Sequence, residues 1–114
     1  MTDRELLEAA AKAAGIRLEW DGPPADWVPM YYEGKTYHAW EPLDDDGDAL
    51  RLAVKLGLHV DVQKMAGCTV VFLGGTFFDD QLEWHDPDAR AATRRAIVRA
   101  AAKLASSDNL PNIA

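Results

Sequence analysis

The sequence predicts an α+β fold, an α-β-α layered single domain in which three helices surround an antiparallel sheet built largely from two hairpins. Three segments place apolar residues at the spacing of an amphipathic helix, and the segments between them alternate or run apolar between glycine-containing turns. The length of 114 residues and the apolar content of 48% suit one folded domain. We expect this domain to span residues 1–105, followed by a flexible polar tail at residues 106–114.

The first helix is predicted over Thr2–Ala14. Thr2 and Glu5 have the spacing of a capping box, in which each side chain accepts a hydrogen bond from the backbone N–H of the other residue. Gly15 suits the left-handed position that ends a helix. The alternating apolar residues of positions 16–20 then predict a half-buried strand.

Two hairpins are predicted, Trp27–Ala39 and Leu58–Leu73. Gly34 permits the turn of the first hairpin, and Pro29 restricts the strand that contains it to an edge or an irregular segment, because proline has no N–H to donate. In the second hairpin a half-buried alternating strand precedes a continuous apolar strand of the kind found inside a sheet. Residues 76–85 fit either a short strand or an apolar lid.

The second helix is predicted to follow an acid cluster and to end at Gly57. Asp44 or Asp45 caps it, and the remaining carboxylates face water near the positive end of the helix. Its apolar face is formed by Ala49, Leu52, Ala53 and Leu56, widened by Leu50 and Val54. The third helix is predicted to open at Asp86-Pro87. Its face of small alanine residues allows close packing on a sheet or a helix, and a homodimer through this face is a further option.

The net charge of −7 is unevenly distributed. Residues 1–88 carry 18 acids and 7 bases, whereas residues 89–114 carry 1 acid and 5 bases. The acidic excess argues against general nucleic-acid binding, which needs a basic surface. It fits a partner with a basic surface, or solubility alone. The basic side of the third helix, which includes Arg94, Arg95 and Arg99, either touches nucleic acid or pairs with acids of the same fold, and the second interpretation is favoured.

The sequence also indicates a cytoplasmic location. No apolar run approaches the roughly 20 residues that span a bilayer, and the charged start of the chain is not a signal peptide. Cys68 is the only cysteine, so no intrachain disulfide can form, and its apolar surroundings predict a small core residue.

Candidate catalytic and metal-binding residues form no working pattern. The acid cluster fails the spacing of a calcium-binding EF-hand, because Pro42 and Ala53 fall at ligand positions. The three histidines have no ligand spacing, and serines occur only at positions 106 and 107. We therefore expect a protein that is not an enzyme and has no metal and no cofactor.

The run from Trp40 to Ala53, WEPLDDDGDALRLA, resembles the W-x-P-L-x-D-D-G-D-A-L-R-L-A signature of the phage ABA sandwich domain family. Residues 4–16 and 86–98 match this family as well, in the same order along the chain. The resemblance implies an α-β-α layered domain encoded by a phage or prophage. It supplies no catalytic residues, since the family is largely uncharacterised, and residues 31–40 and 77–84 have no counterpart in it.

The leading hypothesis is a non-enzymatic phage protein that binds and modulates or inhibits a host protein with a basic surface. A defence complex of the CRISPR–Cas type, blocked by acidic mimicry of nucleic acid, is one such partner. The predicted contact residues are Asp44, Asp45, Asp46, Asp48, Tyr31, Tyr32, Tyr37 and Trp40. The aromatic residues among them form either an exposed patch or part of the core. The alternative is a small-molecule or nucleic-acid binding module that uses the aromatic hairpin and the third helix.

Overall fold

The computed structural model describes residues 1–22, 27–73 and 81–105, and confirms the α+β class. The helices are α1 (Asp3–Ala14), α2 (Asp46–Leu56) and α3 (Ala89–Ala105). The strands are β1 (Glu19–Asp21), β2 (Val28–Glu33), β3 (Thr36–Ala39), β4 (Leu58–Gln63), β5 (Cys68–Leu73) and β6 (Gln81–Trp84). The predicted tail at 106–114, most of the predicted loop at 21–26, and the segment 74–80 with Phe77 and Phe78 lie outside the described residues.

The two predicted hairpins are present, but each belongs to its own antiparallel sheet of three strands. Sheet A has the order β1-β2-β3, and sheet B has the order β4-β5-β6. The third strand of sheet A is β1, which is shorter than the strand predicted at 16–20 and ends one residue later, at Asp21. Strand β6 lies within the segment that fitted either a strand or a lid. The hairpins do not pair with each other. Helix α2 separates them along the chain, since it follows β3 of sheet A and ends at Gly57, just before β4 of sheet B.

Pro29 lies in the middle strand of sheet A, so its predicted edge position is wrong. The N–H and C=O of a strand residue point to the same neighbouring strand. The carbonyl of Pro29 accepts a hydrogen bond of 2.8 Å from the backbone N–H of Trp40, one residue beyond the end of β3. The N–H that proline lacks would therefore point toward the end of β3, where the pairing of the two strands ends. Proline at this position thus costs the sheet no further hydrogen bond.

Backbone capping sets the helix ends, and α1 follows the prediction. Thr2 and Glu5 form the capping box, and Gly15 adopts a left-handed φ of 70°. The predicted start of α3 is wrong by two residues. The carboxylate of Asp88 accepts hydrogen bonds from the backbone N–H groups of Arg90 and Ala91, so α3 begins after Asp88 and Pro87 lies outside it.

The core lies where α3 packs against α1 and against sheet B. Ala96, Ala100 and Ala101 of α3 are buried inside the monomer, which confirms the close packing predicted from their small size. The same burial makes this face unavailable for a homodimer. Buried Thr69 of β5 also joins the layers, because its hydroxyl lies 2.7 Å from the Thr93 hydroxyl and 2.7 Å from Nε2 of His85.

Two apolar surfaces are more exposed than predicted. Leu50 and Val54 do not widen the buried face of α2, since their exposed fractions are 62% and 72%. Val60 and Val62 of β4 are also exposed, so this strand is not half-buried. The reason is topological: β4 is an edge strand, and α3 covers mainly the other two strands of sheet B, β5 and β6.

Candidate protein-binding surface

Most carboxylates of the acid cluster are used within the fold. Asp45 caps α2 by accepting a 2.8 Å hydrogen bond from the backbone N–H of Asp48. Asp46 forms a 2.6 Å ion pair with Arg94. Within the cluster, only Asp44 is exposed without a cation within 4.0 Å among the described residues. The cluster therefore offers a partner far less negative charge than its sequence indicates.

Asp48 is a clear departure from the prediction that the spare carboxylates face water. It is buried, with an exposed fraction of 8%. One carboxylate oxygen accepts a 2.8 Å hydrogen bond from the backbone N–H of Glu41, and the other lies 2.6 Å from Nη2 of Arg51. A carboxylate held in this way ties the chain that leaves β3 to the first turn of α2, and it is a structural residue.

The basic side of α3 pairs with acids of the same molecule, as the favoured interpretation predicts. Arg94 donates to the carbonyl of Leu43 and to Asp46, at 2.9 and 2.6 Å. The other two predicted arginines pair with Asp3 and Glu83: Arg95 lies 3.1 Å from Asp3 and 3.5 Å from Glu83, and Arg99 lies 3.2 Å from Glu83. These contacts neutralise the charge that nucleic-acid binding would require.

The predicted aromatic residues divide between core and surface. Trp40 is buried, with an exposed fraction of 3%, so it does not belong to an exposed patch. Tyr31 and Tyr37 are half-buried, and Tyr32 is 61% exposed. The rings of Tyr32 and Tyr37 lie opposite each other on β2 and β3, with their centroids 4.7 Å apart. The hairpin thus supplies a tyrosine pair in which Tyr32 is exposed and Tyr37 is half-buried.

Strand alternation places this pair beside acidic residues on one face of sheet A. Side chains on a strand point alternately to opposite faces. Pro29 and Trp40 face the core, so Tyr32 and Tyr37 share the opposite side with Met30, Glu19 and Asp21. We call these five residues the outer face of sheet A.

The two carboxylates of this outer face form no ion pair with the described residues. Within the described residues, neither Glu19 nor Asp21 has a cationic group within 4.0 Å. Partial burial and the nearby carboxylates of Asp21 and Glu19 raise the pKa of Tyr37, so the two acids lie close to this tyrosine. Sequence reasoning missed these acids because they are separated along the chain from the conspicuous aspartate run.

Two further aromatic features could not be located from the sequence. The guanidinium of Arg4 lies 4.4 Å from the ring centres of both Trp20 and Trp27, which gives two cation–π contacts. On sheet B, Trp84 is 66% exposed and Leu82 is 40% exposed. The sequence does not predict either feature, since each depends on how distant elements pack against one another.

The structure brings no metal-binding group together among residues 1–22, 27–73 and 81–105. Within these ranges no three histidine, cysteine, aspartate or glutamate side chains are close enough to hold a metal ion. His85 is bonded to Thr69, and exposed His59 stacks on Phe72 with centroids 4.9 Å apart. Cys68 is buried, as predicted.

Comparison with protein-family models, curated proteins and solved structures gave no match for this chain. The resemblance to the phage family and the function that it implies therefore stay predictions. In the part of the chain that the structure describes, the helices are too short or too polar to cross a membrane.

Proposed function

We propose that this chain is a non-enzymatic protein, encoded by a phage or prophage, that binds a basic surface of a host protein in the bacterial cytoplasm. Binding would modulate or inhibit that partner. The observation that carries the proposal is the outer face of sheet A, where exposed Tyr32 and half-buried Tyr37 lie beside carboxylates that have no cationic partner among the described residues. The resemblance of residues 40–53 to the phage family supports the proposed origin.

The chemistry of this face suits a partner rich in arginine. A guanidinium stacks on an aromatic ring and donates paired hydrogen bonds to a carboxylate. The chain already makes the first contact internally, where Arg4 lies over Trp20 and Trp27. Tyrosine and arginine are also enriched among the residues that dominate binding energy at protein interfaces. A nucleic-acid binding complex of a host defence system presents such a basic surface, and acidic mimicry of nucleic acid would block it.

A quantitative pull-down from the host lysate tests this proposal. One binding-face variant replaces Tyr32 with Ser, and a second carries Glu19→Gln with Asp21→Asn. The matched control, Asp44→Asn with Asp61→Asn, removes the same charge from other exposed positions. We expect wild type and control to retain one specific basic protein, with recovery falling as salt rises. Loss of a tyrosine that anchors the interface weakens binding by about 30-fold.

Two results would count against the proposal. One is the recovery of no specific protein by the wild-type chain. The other is equal recovery by the face variants and the control, which would place the contact elsewhere. The phage origin has its own test, because genes for phage proteins are expected to neighbour this gene.

The predicted alternative, nucleic-acid binding through α3, gains no support from the geometry. Its three arginines, Arg94, Arg95 and Arg99, are each engaged with a carboxylate. Salt-dependent binding to DNA or RNA that is lost on replacing these arginines would nevertheless favour it over the protein partner.

A further inference from the structure

A cavity of about 550 Å³ opens between the end of α1, the inner side of sheet A and α2. Its size falls within the range of about 300–1,000 Å³ that small-molecule sites occupy. Trp40 and Leu52, both nearly fully buried, line it together with half-buried Tyr31. The cavity therefore has apolar and aromatic walls that suit a planar body, and Tyr32 of the outer face lies at its margin.

Two cations on the wall of this cavity have no carboxylate partner. Among the described residues, Arg17 is the only arginine without a carboxylate within 4.0 Å, and Lys55 lacks one as well. Arg51 also lines the cavity, but Asp48 holds it at 2.6 Å. Arg17 and Lys55 are thus the groups available to bind an anion.

The remaining polar groups restrict the ligand further. Glu19 and Glu33 also line the cavity, so a ligand with several negative charges would be repelled, whereas an N–H donor would find an acceptor. Burial and the carboxylates of Glu33 and Asp48 raise the pKa of Tyr31, although Arg51 opposes the shift. Its hydroxyl therefore keeps its proton and can donate to a carboxylate.

We propose that this cavity binds a small planar carboxylate that also carries an N–H donor. The carboxylate lies between Arg17 and Lys55, the ring packs against Tyr31 and Trp40, and the N–H group faces Glu33. Glu19 and Tyr32 line the cavity and also belong to the outer face of sheet A, whereas Arg17, Lys55 and Trp40 belong to the cavity alone.

Ligand titration followed by backbone-amide NMR tests the proposal with three probes of similar size. Anthranilate has both the carboxylate and the N–H donor, anthranilamide lacks the charge, and benzoate lacks the amine. We expect anthranilate to bind with a Kd of about 1 mM or tighter, with shifts at Tyr31 and Trp40, and the other two probes to bind more weakly. Arg17→Gln and Lys55→Gln should each weaken anthranilate binding about tenfold, the size of one lost charge-assisted hydrogen bond.

Lys64→Gln is the control, because it removes the same charge from the exposed turn between β4 and β5. Its anthranilate affinity should equal that of the wild type. Equal binding of anthranilamide and anthranilate would overturn the proposal, and so would unchanged anthranilate affinity in both cavity variants. Failure of the wild type to bind anthranilate at all, or shifts confined to residues outside the cavity, would also overturn it.

Discussion

Replacing Asp48 with Ala should destabilise the protein strongly, although the residue belongs to an aspartate run that looks like a solvated surface. Its carboxylate accepts from the Glu41 N–H at 2.8 Å and from Arg51 at 2.6 Å. Truncation leaves the partly buried Glu41 N–H without its acceptor, at a cost of about 1–3 kcal/mol. The bond to Arg51 adds only about 0–1 kcal/mol, because that side chain is 67% exposed. The better helix propensity of alanine offsets about 0.5 kcal/mol.

The expected loss in the free energy of unfolding is therefore about 1–3 kcal/mol, which lowers Tm by roughly 4 °C per kcal/mol for a domain of this size. Urea and thermal denaturation followed by circular dichroism would measure it. Asp44→Ala is the matched control, since Asp44 is exposed and has no cationic partner within the described residues, and its effect should stay within about 0.5 kcal/mol. Asp48→Asn should fall between the two, because the amide keeps one acceptor oxygen. If Asp48→Ala and Asp44→Ala lost equal stability, the structural role assigned to Asp48 would be wrong.

Two further predictions concern α3. Arg94→Ala should lower the free energy of unfolding by about 1.5–3 kcal/mol in chemical denaturation, because a side chain that is only 16% exposed loses its bonds to a carbonyl and a carboxylate. The control Arg90→Ala should change this free energy by less than about 0.5 kcal/mol. Similar losses in both variants would refute the prediction. The cap formed by Asp88 should make stability depend on pH. Its hydrogen bonds to Ala91 and Arg90 lower its pKa from the ordinary 3.8, so the stabilisation is present above that value and is lost as the pH falls through the lower folded pKa. Denaturation across this range should show a smaller pH dependence for Asp88→Asn, and an unchanged slope would contradict the capping role.

Local features of the fold could be predicted where a residue acts on its near neighbours in the chain. The capping box of Thr2 and Glu5 and the glycine stops at Gly15 and Gly57 need only a few consecutive residues, and all appear as predicted. The start of α3 was predicted less well, since Asp86-Pro87 and Asp88 both offer plausible caps. Sequence spacing cannot decide which carboxylate reaches the first amides.

Burial was harder to predict because it depends on distant elements. Val60 and Val62 alternate as a half-buried strand should, yet β4 lies at a sheet edge that α3 leaves largely open. Trp40 has the aromatic surface of a binding residue, but its backbone bond to Pro29 helps to hold it in the core. In both cases the deciding neighbour lies on another element, which no local pattern reveals.

The candidate binding site differs from the predicted aspartate cluster for the same reason. A count of charges along the chain treats every aspartate of the cluster as available, whereas the fold brings Arg51 and Arg94 against Asp48 and Asp46. Substituting those acids would therefore lower the stability of the fold. A loss of partner recovery in the pull-down would then not distinguish unfolding from lost binding. Glu19 and Asp21, which lie beside the tyrosine pair, have no cation within 4.0 Å in the part of the chain that the structure describes. Because these groups hold no ion pair in the fold, substitutions there separate binding from folding, which substitutions in the aspartate run cannot do.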